Sequence, residues 1–544
     1  MPTDPCANAN LFVALREGFP AELDGVAIET IESGLVYTWR DLERATAMLA
    51  NVLDSLELPP SSRIAVQAEK SVESLLFYLA VLRAGHVYLP LNTAYKSDEI
   101  AYFIGDAEPA VFVCAPKDFA WASKLAFAAG TRHVFTLGDD RSGSLLERAT
   151  HFGDAHEPAV RNADDLAAIV YTSGTTGRSK GAMLTHGNLR SNALTLKDYW
   201  GWRTPEAAGR ATAGSPGAPA RVGADDESDA ASSSRDVLIH ALPIFHVHGL
   251  FVASHGALLA GAKMLWLRRF DARRVVELLP RATVFMGVPT LYVRLLAEPG
   301  LTREACRGMR LFISGSAPLL LDTFEAFRER TGHTILERYG MSETIMLTSN
   351  PYDASQGERR GGTVGFPLPG VSVRVVGADG EVAPAGTVGA IEVRGPNVFA
   401  GYWRLPEKTK EEFSTDGWFR TGDVGVIDEL GYVSIVGRSK DLVISGGYNV
   451  YPAEIEGVCN EMPGVAETAV IGVPHADFGE AVVAVVVPRG GAAIDVEAMT
   501  RALKAKIANY KVPKAIFVVP ELPRNAMGKV QKNRLREQHA ALFA

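Results

Sequence analysis

The feature that most constrains the fold is the regular alternation of strand-like and helix-like segments in the first two-fifths of the chain. Between the strand-like segments lie stretches with apolar residues at helical spacing, such as SVESLLFYLAVLRAG. Because parallel strands must be joined by crossover connections, usually helices, this alternation predicts a largely parallel α/β sheet. The short β-branched runs expected to be its strands occupy residues 63–67, 86–91, 110–115, 132–137 and 166–171.

The texture of the sequence changes twice further along the chain. Residues 364–441 contain closely spaced strand-like runs and Gly turns, which predict an antiparallel or barrel-like subdomain. Beyond about Lys440, the runs AETAVIGV, EAVVAVVVP and AIFVVP and the helical stretch MTRALKAKIANY predict a small α+β domain. A chain of 544 residues exceeds the size of one compact core. We therefore expect a large domain over residues 1–439 and a small one over residues 440–544.

One segment of the large domain has a different composition. Residues 204–234 contain no Leu, Ile, Phe, Tyr or Trp and are rich in Ala, Gly, Ser, Pro and Asp. Such a segment cannot bury enough apolar surface to offset the entropy lost on ordering. It is predicted to be a disordered surface insertion.

Charge and composition exclude several classes of protein. With 55 basic and 63 acidic residues the net charge is −8, and no basic run indicates a nucleic-acid partner or an anionic membrane surface. The first residues, MPTDPCANANLFVAL, lack the pattern of a signal peptide, and no apolar run reaches about 18 residues. The cysteines are scattered without CxxC pairs, which disfavours a zinc site or disulfides and indicates a cytoplasmic protein. They are Cys6, Cys114, Cys306 and Cys459.

The strongest local signal is YTSGTTGRSKG, which follows a strand-like run. Its glycines allow the backbone to approach oxyanions closely, and its hydroxyls and lysine supply donors, so it resembles a cradle for a polyphosphate. It is not a Walker A loop, because GxxxxGK[ST] does not fit it. Alone, it could also be an ordinary Gly/Ser/Thr-rich turn. The candidate residues are Thr172, Ser173, Gly174, Thr175, Thr176, Gly177, Lys180 and Gly181.

Four further motifs follow in chain order. They are RYGMSE (338–343), GWFRTGD (417–423), GRSKDLVISGGYNVYPAEIE (437–456) and PRNAMGKVQK (523–532). In this order and spacing the five motifs resemble those of the acyl-adenylate-forming enzymes, over nearly the whole chain. The resemblance implies ATP-dependent ligation of an acid to a thiol through an acyl-adenylate, with release of AMP and pyrophosphate. It also implies a large α/β domain with a barrel-like part and a small mobile C-terminal domain.

The resemblance assigns most candidate residues to ATP. The segment from Thr172 to Lys180 is expected to hold the β- and γ-phosphates, and Glu343 is expected to hold Mg²⁺. Ser342 stands where the family usually has Thr, and Lys529 matches the mobile lysine that bridges the acyl carboxylate and the α-phosphate. Asp423 is expected to bind the ribose, Arg438 the ribose and phosphates, and Ser316, Ala317, Glu337, Arg338 and Tyr339 to line the adenine. Seen alone, Asp423 would be a turn residue, and Arg438 and Lys529 surface cations.

The second half-reaction is expected to use a different arrangement of the same domains. Lys440 matches the hinge, about which the small domain of this family rotates to present the segment of Ser445, Gly446 and Gly447 to a thiol. Nothing after residue 532 resembles a carrier domain. The expected acceptor is therefore free coenzyme A.

The acid is suggested by cations where a fatty-acyl enzyme would have apolar walls. His246, His248, Arg294 and Ser316 belong to segments that form the acyl pocket in this family, and ALPIFHVHGLF with VPTLYVRLL looks most like malonyl-CoA synthetases. A cation there suits the second carboxylate of malonate, and of methylmalonate. The alternatives are that Arg294 faces solvent and that the acid is another short or branched one.

The sequence argues against two other classes of function. A non-catalytic acyl-adenylate-binding protein is expected to lack Lys529, Glu343 or Lys180, and all three are present. A P-loop kinase needs a Walker A loop, which the sequence lacks.

Overall fold

The computed structural model describes residues 8–172, 179–204, 235–445, 448–475, 477–525 and 529–543. The predicted insertion lies outside these residues apart from Thr204, as do Ser173, Gly174, Thr175, Thr176 and Gly177 of the phosphate-loop motif and Gly446 and Gly447 of the acceptor segment. The described residues form an α/β structure with two large, mainly parallel sheets, an antiparallel sheet and a separate C-terminal sheet. The α/β fold class is therefore confirmed.

The first large sheet contains the strands predicted from the alternating pattern. Five consecutive strands of this sheet are parallel, and two antiparallel strands extend the sheet at one edge. In the order β18-β8-β7-β4-β3-β5-β6, the strands are β18 (Gly401–Tyr402), β8 (Lys180–Thr185), β7 (Leu166–Thr172), β4 (Val87–Pro90), β3 (Arg63–Gln67), β5 (Val111–Cys114) and β6 (His133–Thr136).

The second large sheet has a parallel centre with antiparallel strands at both edges. In the order β15-β14-β13-β12-β11-β9-β10-β1-β2, its strands are β15 (Phe366–Pro367), β14 (Thr348–Ser349), β13 (Leu336–Tyr339), β12 (Leu311–Ser314), β11 (Val284–Gly287), β9 (Val237–His240), β10 (Lys263–Trp266), β1 (Val26–Thr30) and β2 (Val36–Thr38).

Helices connect and cover these strands. The helix over Val72–Arg83 is buried at every residue, as expected of a helix whose surface is apolar nearly all round. The helices of the large domain are α1 (Leu11–Glu17), α2 (Trp39–Asp54), α3 (Val72–Arg83), α4 (Ser97–Ala107), α5 (Phe119–Ala128), α6 (Ser144–Ala149), α7 (His186–Tyr199), a π-helix (His248–Ser254), α8 (His255–Ala260), α9 (Ala272–Leu278), α10 (Pro289–Leu296), α11 (Leu321–Thr331) and α12 (Pro406–Glu412), with 3₁₀ turns at Pro116–Asp118, Leu279–Arg281 and Ala354–Gln356.

The third sheet is the antiparallel one predicted between residues 364 and 441. Its strands follow the order β16 (Ser372–Val376), β17 (Gly389–Arg394), β19 (Phe419–Ile427) and β20 (Val433–Arg438). All of its pairings are antiparallel. The strand β20 ends at Arg438, immediately before the predicted hinge.

The fourth sheet is built only from residues beyond the hinge. Strands β23 and β24 alternate, so that Val482, Ala484 and Val486 pack into one apolar cluster and Val483 and Val485 into another on the opposite face. The three predicted strands and the predicted helix of this unit are present. Its elements are β21 (Val443–Ser445), β22 (Tyr448–Val450), β23 (Val465–His475), β24 (Gly479–Pro488), β25 (Ala515–Val518), α13 (Pro452–Asn460), α14 (Val496–Lys506) and α15 (Lys532–His539), with 3₁₀ turns at Ser439–Asp441, Arg489–Gly491 and Asn509–Lys511.

The domain boundary at Lys440 stays a prediction, although it falls in the turn that joins the third and fourth sheets. Within the residues described above, no helix is both long and apolar enough to cross a membrane.

The insertion leads to a first testable prediction. Its two ends lie close together, because the backbone N–H of Arg203 donates to Asp236 Oδ2 at 2.8 Å. A short Gly/Ser linker can therefore replace residues 205–234 without straining the core, and loops that carry no core residues tolerate such changes. We expect the melting temperature and turnover to stay close to those of the full chain. A fall in melting temperature of more than about 5 °C would contradict the prediction, since one degree corresponds to about 1 kcal/mol for a chain of this size.

Candidate active site

The candidate active site lies where parallel strands of the second large sheet end. Strands β9, β11, β12 and β13 are neighbours and run in the same direction. The segments that follow them contain the HVHGLF, VPTLYVRLL, SGSAP and YGMSE motifs. Crevices outside the carboxyl ends of parallel strands are the usual binding sites of open α/β sheets.

The centre of the site is a buried arginine. Arg338, in β13, is only 2% exposed. Its Nε and Nη2 atoms have no hydrogen-bond partner among the residues that the structure describes. Burial lowers the pKa of Arg338 from 12.5 to about 9, so the guanidinium is still charged at neutral pH. A buried cation without a partner is costly, and an anionic ligand would remove most of that cost.

Two histidines and a serine surround this charge. His248 is buried, and its Nδ1 lies 3.4 Å from Ser316 Oγ. Its Nε2 lacks a partner in the described part of the chain. Burial lowers the pKa values of both His246, to about 3, and His248, and the charge of Arg338 lowers them further. Both histidines are therefore neutral at pH 7, and Arg338 is the cation of this group.

The backbone around Ser316 is shaped to admit the arginine. Ser316 has φ of 71°, a left-handed conformation that non-glycine residues rarely adopt and that recurs at ligand sites. A Cβ atom on the preceding Gly315 would lie 2.6 to 2.7 Å from the guanidinium of Arg338. Gly315 therefore leaves the space that Arg338 occupies.

The expectation that Arg294 faces the acyl pocket stays a prediction. In α10, the side chain of Arg294 is exposed, whereas Tyr292 and Leu295 are buried. Tyr292 donates a hydrogen bond to Ile313 O at 2.6 Å and interacts electrostatically with Arg338. Arg294 follows the buried Leu291 by three residues, a rotation of about 300°, and so stands at the edge of the buried face of the helix.

The predicted ribose ligand is part of a buried network. Asp423 Oδ1 lies 2.6 Å from Arg438 Nε, and Tyr339 donates its hydroxyl to Asp423 Oδ2. Burial raises the pKa of Asp423, while Arg438 and the Tyr339 hydroxyl act in the opposite direction. Antiparallel pairing places Asp423 of β19 opposite Arg438 of β20. The structure thus brings together three residues that the sequence assigned to the nucleotide.

Lys529 reaches the same cleft from the C-terminal domain. Its side chain is accessible to solvent, yet it is crowded by protein atoms, as expected for a residue inside an open cleft. This crowding and the charge of Arg438 lower the pKa of Lys529, whereas Asp423 and Glu343 raise it. Lys529 also lowers the pKa of His246. Lys529 therefore interacts electrostatically with two sets of residues. One is the set expected to bind the nucleotide and its metal, which includes Asp423 and Glu343, and the other is the predicted acyl pocket, through His246.

A second network joins the two residues expected to bind phosphate and metal. Lys180 Nζ lies 4.1 Å above the ring of Tyr402 and 3.4 Å from Glu412 Oε1. The Tyr402 hydroxyl donates to Glu343 Oε1 at 3.0 Å, and burial raises the pKa of Glu343. Sequence reasoning missed Tyr402 and Glu412. The strand pairing of Tyr402 with Ala182 of β8, which brings it beside Lys180, cannot be read from the motif GYW.

The remaining predicted residues lie near these groups. Glu337 is buried, its Oε1 accepts from Leu319 N at 2.9 Å, and burial raises its pKa to about 8. This bond ties the loop that contains Ser316 and Ala317 to β13. Thr172 contacts Lys180 O only weakly, at 3.5 Å. The adenine-lining roles of Ala317 and residues 337–339, and the role of Ser342, stay predictions.

The hinge segment is exposed at Lys440. Burial of part of its side chain still lowers the pKa of Lys440, to about 8. The neighbouring Asp441 is paired with Arg536 of α15. Ser445 is buried, at the end of β21.

Comparisons with known proteins identify the family of this chain. The family model of AMP-binding enzymes matches residues 21–403, and that of the AMP-binding enzyme C-terminal domain matches residues 454–529. A malonate–CoA ligase of Arabidopsis thaliana is 34% identical over 88% of this chain and 78% of its own length. A feruloyl-CoA synthase of Amycolatopsis is 33% identical over 93% of this chain and 94% of its own length.

A solved structure is more similar still. The crystal structure of ATP-bound MatB from Rhodopseudomonas palustris has 52% sequence identity and a TM-score of 0.90, and the match covers 99% of this chain and 100% of that one. The chain therefore belongs to the AMP-binding enzyme family.

Proposed function

We propose that this AMP-forming acid–CoA ligase activates malonate, and also methylmalonate, with Arg338 as the residue that binds the distal carboxylate. The observation that carries the proposal is the buried guanidinium with two unpartnered nitrogens. An arginine can hold a carboxylate through two parallel hydrogen bonds. A diacid places one carboxylate at the reacting phosphate and has a second that needs such a partner.

Overall similarity supports an acid–CoA ligase but does not choose the acid. At nearly equal identity, the relatives include a malonate–CoA ligase and a feruloyl-CoA synthase. A feruloyl group would present an aromatic ring to the far end of the pocket, where it would leave a buried cation unpaired. The charge of Arg338 therefore favours the diacid.

The first half-reaction joins the acid to AMP. A carboxylate oxygen of malonate attacks the α-phosphorus of ATP, and the bond to pyrophosphate breaks. Lys529 stabilises the negative charge on the carboxylate and the α-phosphate, while Lys180 and the loop of residues 172–180 hold the β- and γ-phosphates. Asp423 accepts hydrogen bonds from the ribose hydroxyls. Because Asp423 Oδ2 already accepts a hydrogen bond from the Tyr339 hydroxyl, that bond must break or share the oxygen with the ribose.

Mg²⁺ fits the acidic group at Glu343. No group of three or more His, Cys, Asp and Glu side chains that could hold a metal is found in the described ranges. A single buried carboxylate suits Mg²⁺, which is usually held by one or two carboxylates together with substrate phosphates. When bound, the ion would neutralise charge on the departing pyrophosphate, and the chain's own part is to hold Glu343 in place through Tyr402.

The second half-reaction transfers the acyl group to coenzyme A. Rotation of the small domain about Lys440 withdraws Lys529 and brings the segment from Ser445 to Gly447 to the cleft. The thiol sulfur attacks the acyl carbon, and AMP leaves.

We place the enzyme in the cytoplasm, since the three described cysteines, Cys114, Cys306 and Cys459, are free and buried.

A panel of acids in a pyrophosphate-release assay tests this function. Malonate and methylmalonate should give kcat/KM values at least about tenfold above those of propionate, butyrate and isobutyrate, since a charged pair lost from a buried site costs more than about 1.4 kcal/mol. A preference for a monocarboxylic acid would reject malonate and favour the alternative of another short or branched acid.

A variant of Tyr402 tests the link between this residue and Glu343. Tyr402→Phe keeps the ring beneath Lys180 but removes the hydroxyl that donates a hydrogen bond to Glu343. A hydrogen bond to a charged group contributes about 1.5 to 3 kcal/mol, so the Mg²⁺ concentration that half-saturates adenylation should rise roughly 10- to 100-fold. Tyr432→Phe, which removes a buried hydroxyl that bonds Glu358 O, is the matched control. Equal effects of the two variants would contradict a specific role for Tyr402.

A further inference from the structure

The segment that leads into the acyl site contains an unusual helix. Residues His248–Ser254 form a π-helix, every residue of which is buried, and it continues directly into α8. In a π-helix each backbone hydrogen bond joins residues five apart rather than the four of an α-helix, and such turns are rare and occur frequently at functional sites. His248, the residue nearest to Ser316 in the acyl site, is its first residue.

A hydrogen-bonded clamp holds this π-helix at its first turn. Ser254 Oγ donates to the carbonyl oxygen of Gly249 at 3.0 Å. His240 Nε2 lies 3.1 Å from the same oxygen and 3.0 Å from Ser254 Oγ. His240 and Ser254 are 1% and 0% exposed, so no water competes for these bonds. The clamp therefore fixes the peptide that joins Gly249 to Leu250, next to His248.

Two further residues, Lys70 and Trp266, contact His240 and fix its position. Lys70, also buried, donates from Nζ to the carbonyl oxygen of His240 at 2.8 Å. The ring of Trp266 stacks on the His240 imidazole with 4.5 Å between centroids, and the Lys70 ammonium lies 4.5 Å from a Trp266 ring. These contacts leave the imidazole little freedom to rotate.

The backbone is also closely packed where the π-helix begins. A Cβ atom on Gly249 would lie 2.0 Å from Pro243 O, so the turn presses against the preceding loop. The far end is anchored by His255, whose Nε2 lies 2.8 Å from the Tyr78 hydroxyl. If the turn relaxed to an α-helix while α8 stayed in place, the residues before it would rotate by about 100°. His248 would then no longer point to Ser316.

We propose that His240 and Ser254 are positioning residues for acid binding: their clamp on the Gly249 carbonyl maintains the π-helix that directs His248 into the acyl site. Neither residue contacts the acid in this arrangement. The proposal rests on the proposed function only in that the acid binds beside His248, Ser316 and Arg338.

The test compares Ser254→Ala with a matched control in steady-state kinetics. Ser254→Ala should raise KM for malonate about 3- to 10-fold, as expected for one lost buried hydrogen bond, while KM for ATP stays within about twofold of wild type. His240→Gln, whose amide nitrogen can take the place of Nε2, should retain most of the affinity, whereas His240→Leu should lose it. Thr331→Val removes a buried hydroxyl that donates to Phe327 O in α11 at 2.7 Å and should change neither KM.

Each outcome decides the proposal. An unchanged KM for malonate in Ser254→Ala, equal rises in both KM values, or the same effect in Thr331→Val would overturn it. If Ser254→Ala fails to fold, the comparison of His240→Gln with His240→Leu decides it in the same way. Should the wild-type enzyme reject malonate, the proposed function fails, and the same KM comparison with the acid it prefers still tests the clamp.

Discussion

Arg338→Met should lower kcat/KM for malonate by roughly 30-fold to several thousand-fold, the largest specificity change expected from one substitution in the acyl site. Removing one partner of a buried, hydrogen-bonded charge pair costs about 2 to 5 kcal/mol, and about 1.4 kcal/mol corresponds to tenfold in rate. Butyrate activity should hold steady or rise, because its methyl end would no longer lie beside an unpaired buried cation. The measurement is the ratio of malonate to butyrate activity in wild type and variant.

The chain offers a matched control for this experiment. Arg328→Met removes an arginine of α11 whose side chain is exposed, and it should leave the same ratio unchanged. Protein stability separates binding from folding. Replacing an unpartnered buried charge by an apolar side chain of similar length should keep or raise the melting temperature of the free enzyme. A destabilised Arg338→Met variant, or an unmoved ratio, would mean that Arg338 is paired within the fold, and the malonate proposal would lose its main support.

The orientation of Arg294 cannot be read from the sequence. The sequence VPTLYVRLL shows that an arginine lies among apolar residues, but not which way the helix is turned. In the structure Tyr292 and Leu295 are buried and the side chain of Arg294 is exposed. An exposed side chain can face either solvent or an open cleft, so the role of Arg294 in the acyl pocket stays a prediction.

Arg338 could not be distinguished from the sequence for the opposite reason. The motif RYGMSE predicted an adenine-lining role for Arg338 itself, as for its neighbours, and nothing in it indicates that this first side chain is 2% exposed. That burial depends on Gly315, which lies 23 residues earlier in the chain, directly after β12, and leaves room for the guanidinium. Such packing between adjacent parallel strands is set by the tertiary fold, whereas local patterns report only one strand at a time.

The fold itself was more accessible, because it depends on repeated patterns. The predicted strand over residues 63–67 coincides with β3, and the run 110–115 contains β5. The apolar runs beyond Lys440 also predicted the strands of the C-terminal sheet. The π-helix was missed, since HVHGLF carries no pattern that separates a π-helix from a strand or a loop, and its clamp comes from His240, which is distant in sequence from Ser254.

The small domain is the subject of the last expected result: Lys529→Ala should slow formation of malonyl-adenylate about 100- to 1000-fold. This range is typical of removing one group that stabilises charge in a transition state. In the described arrangement, Lys529 interacts electrostatically with Asp423, Glu343 and Arg338, and we propose that this arrangement is the one that performs adenylation. Pyrophosphate release with malonate and ATP measures this half-reaction.

Thioester formation from supplied malonyl-adenylate and coenzyme A should remain within about threefold of wild type, because the proposed rotation about Lys440 would remove Lys529 from the cleft before the thiol attacks. Lys504→Ala, an exposed lysine of α14 in the same domain, should leave both half-reactions unchanged. Equal losses in the two half-reactions of Lys529→Ala would indicate that the lysine stays in the cleft throughout, so that one arrangement of the domains performs both steps. A loss confined to adenylation would instead mean that the cleft described here belongs to the first half-reaction and that a second arrangement, turned about Lys440, performs the other.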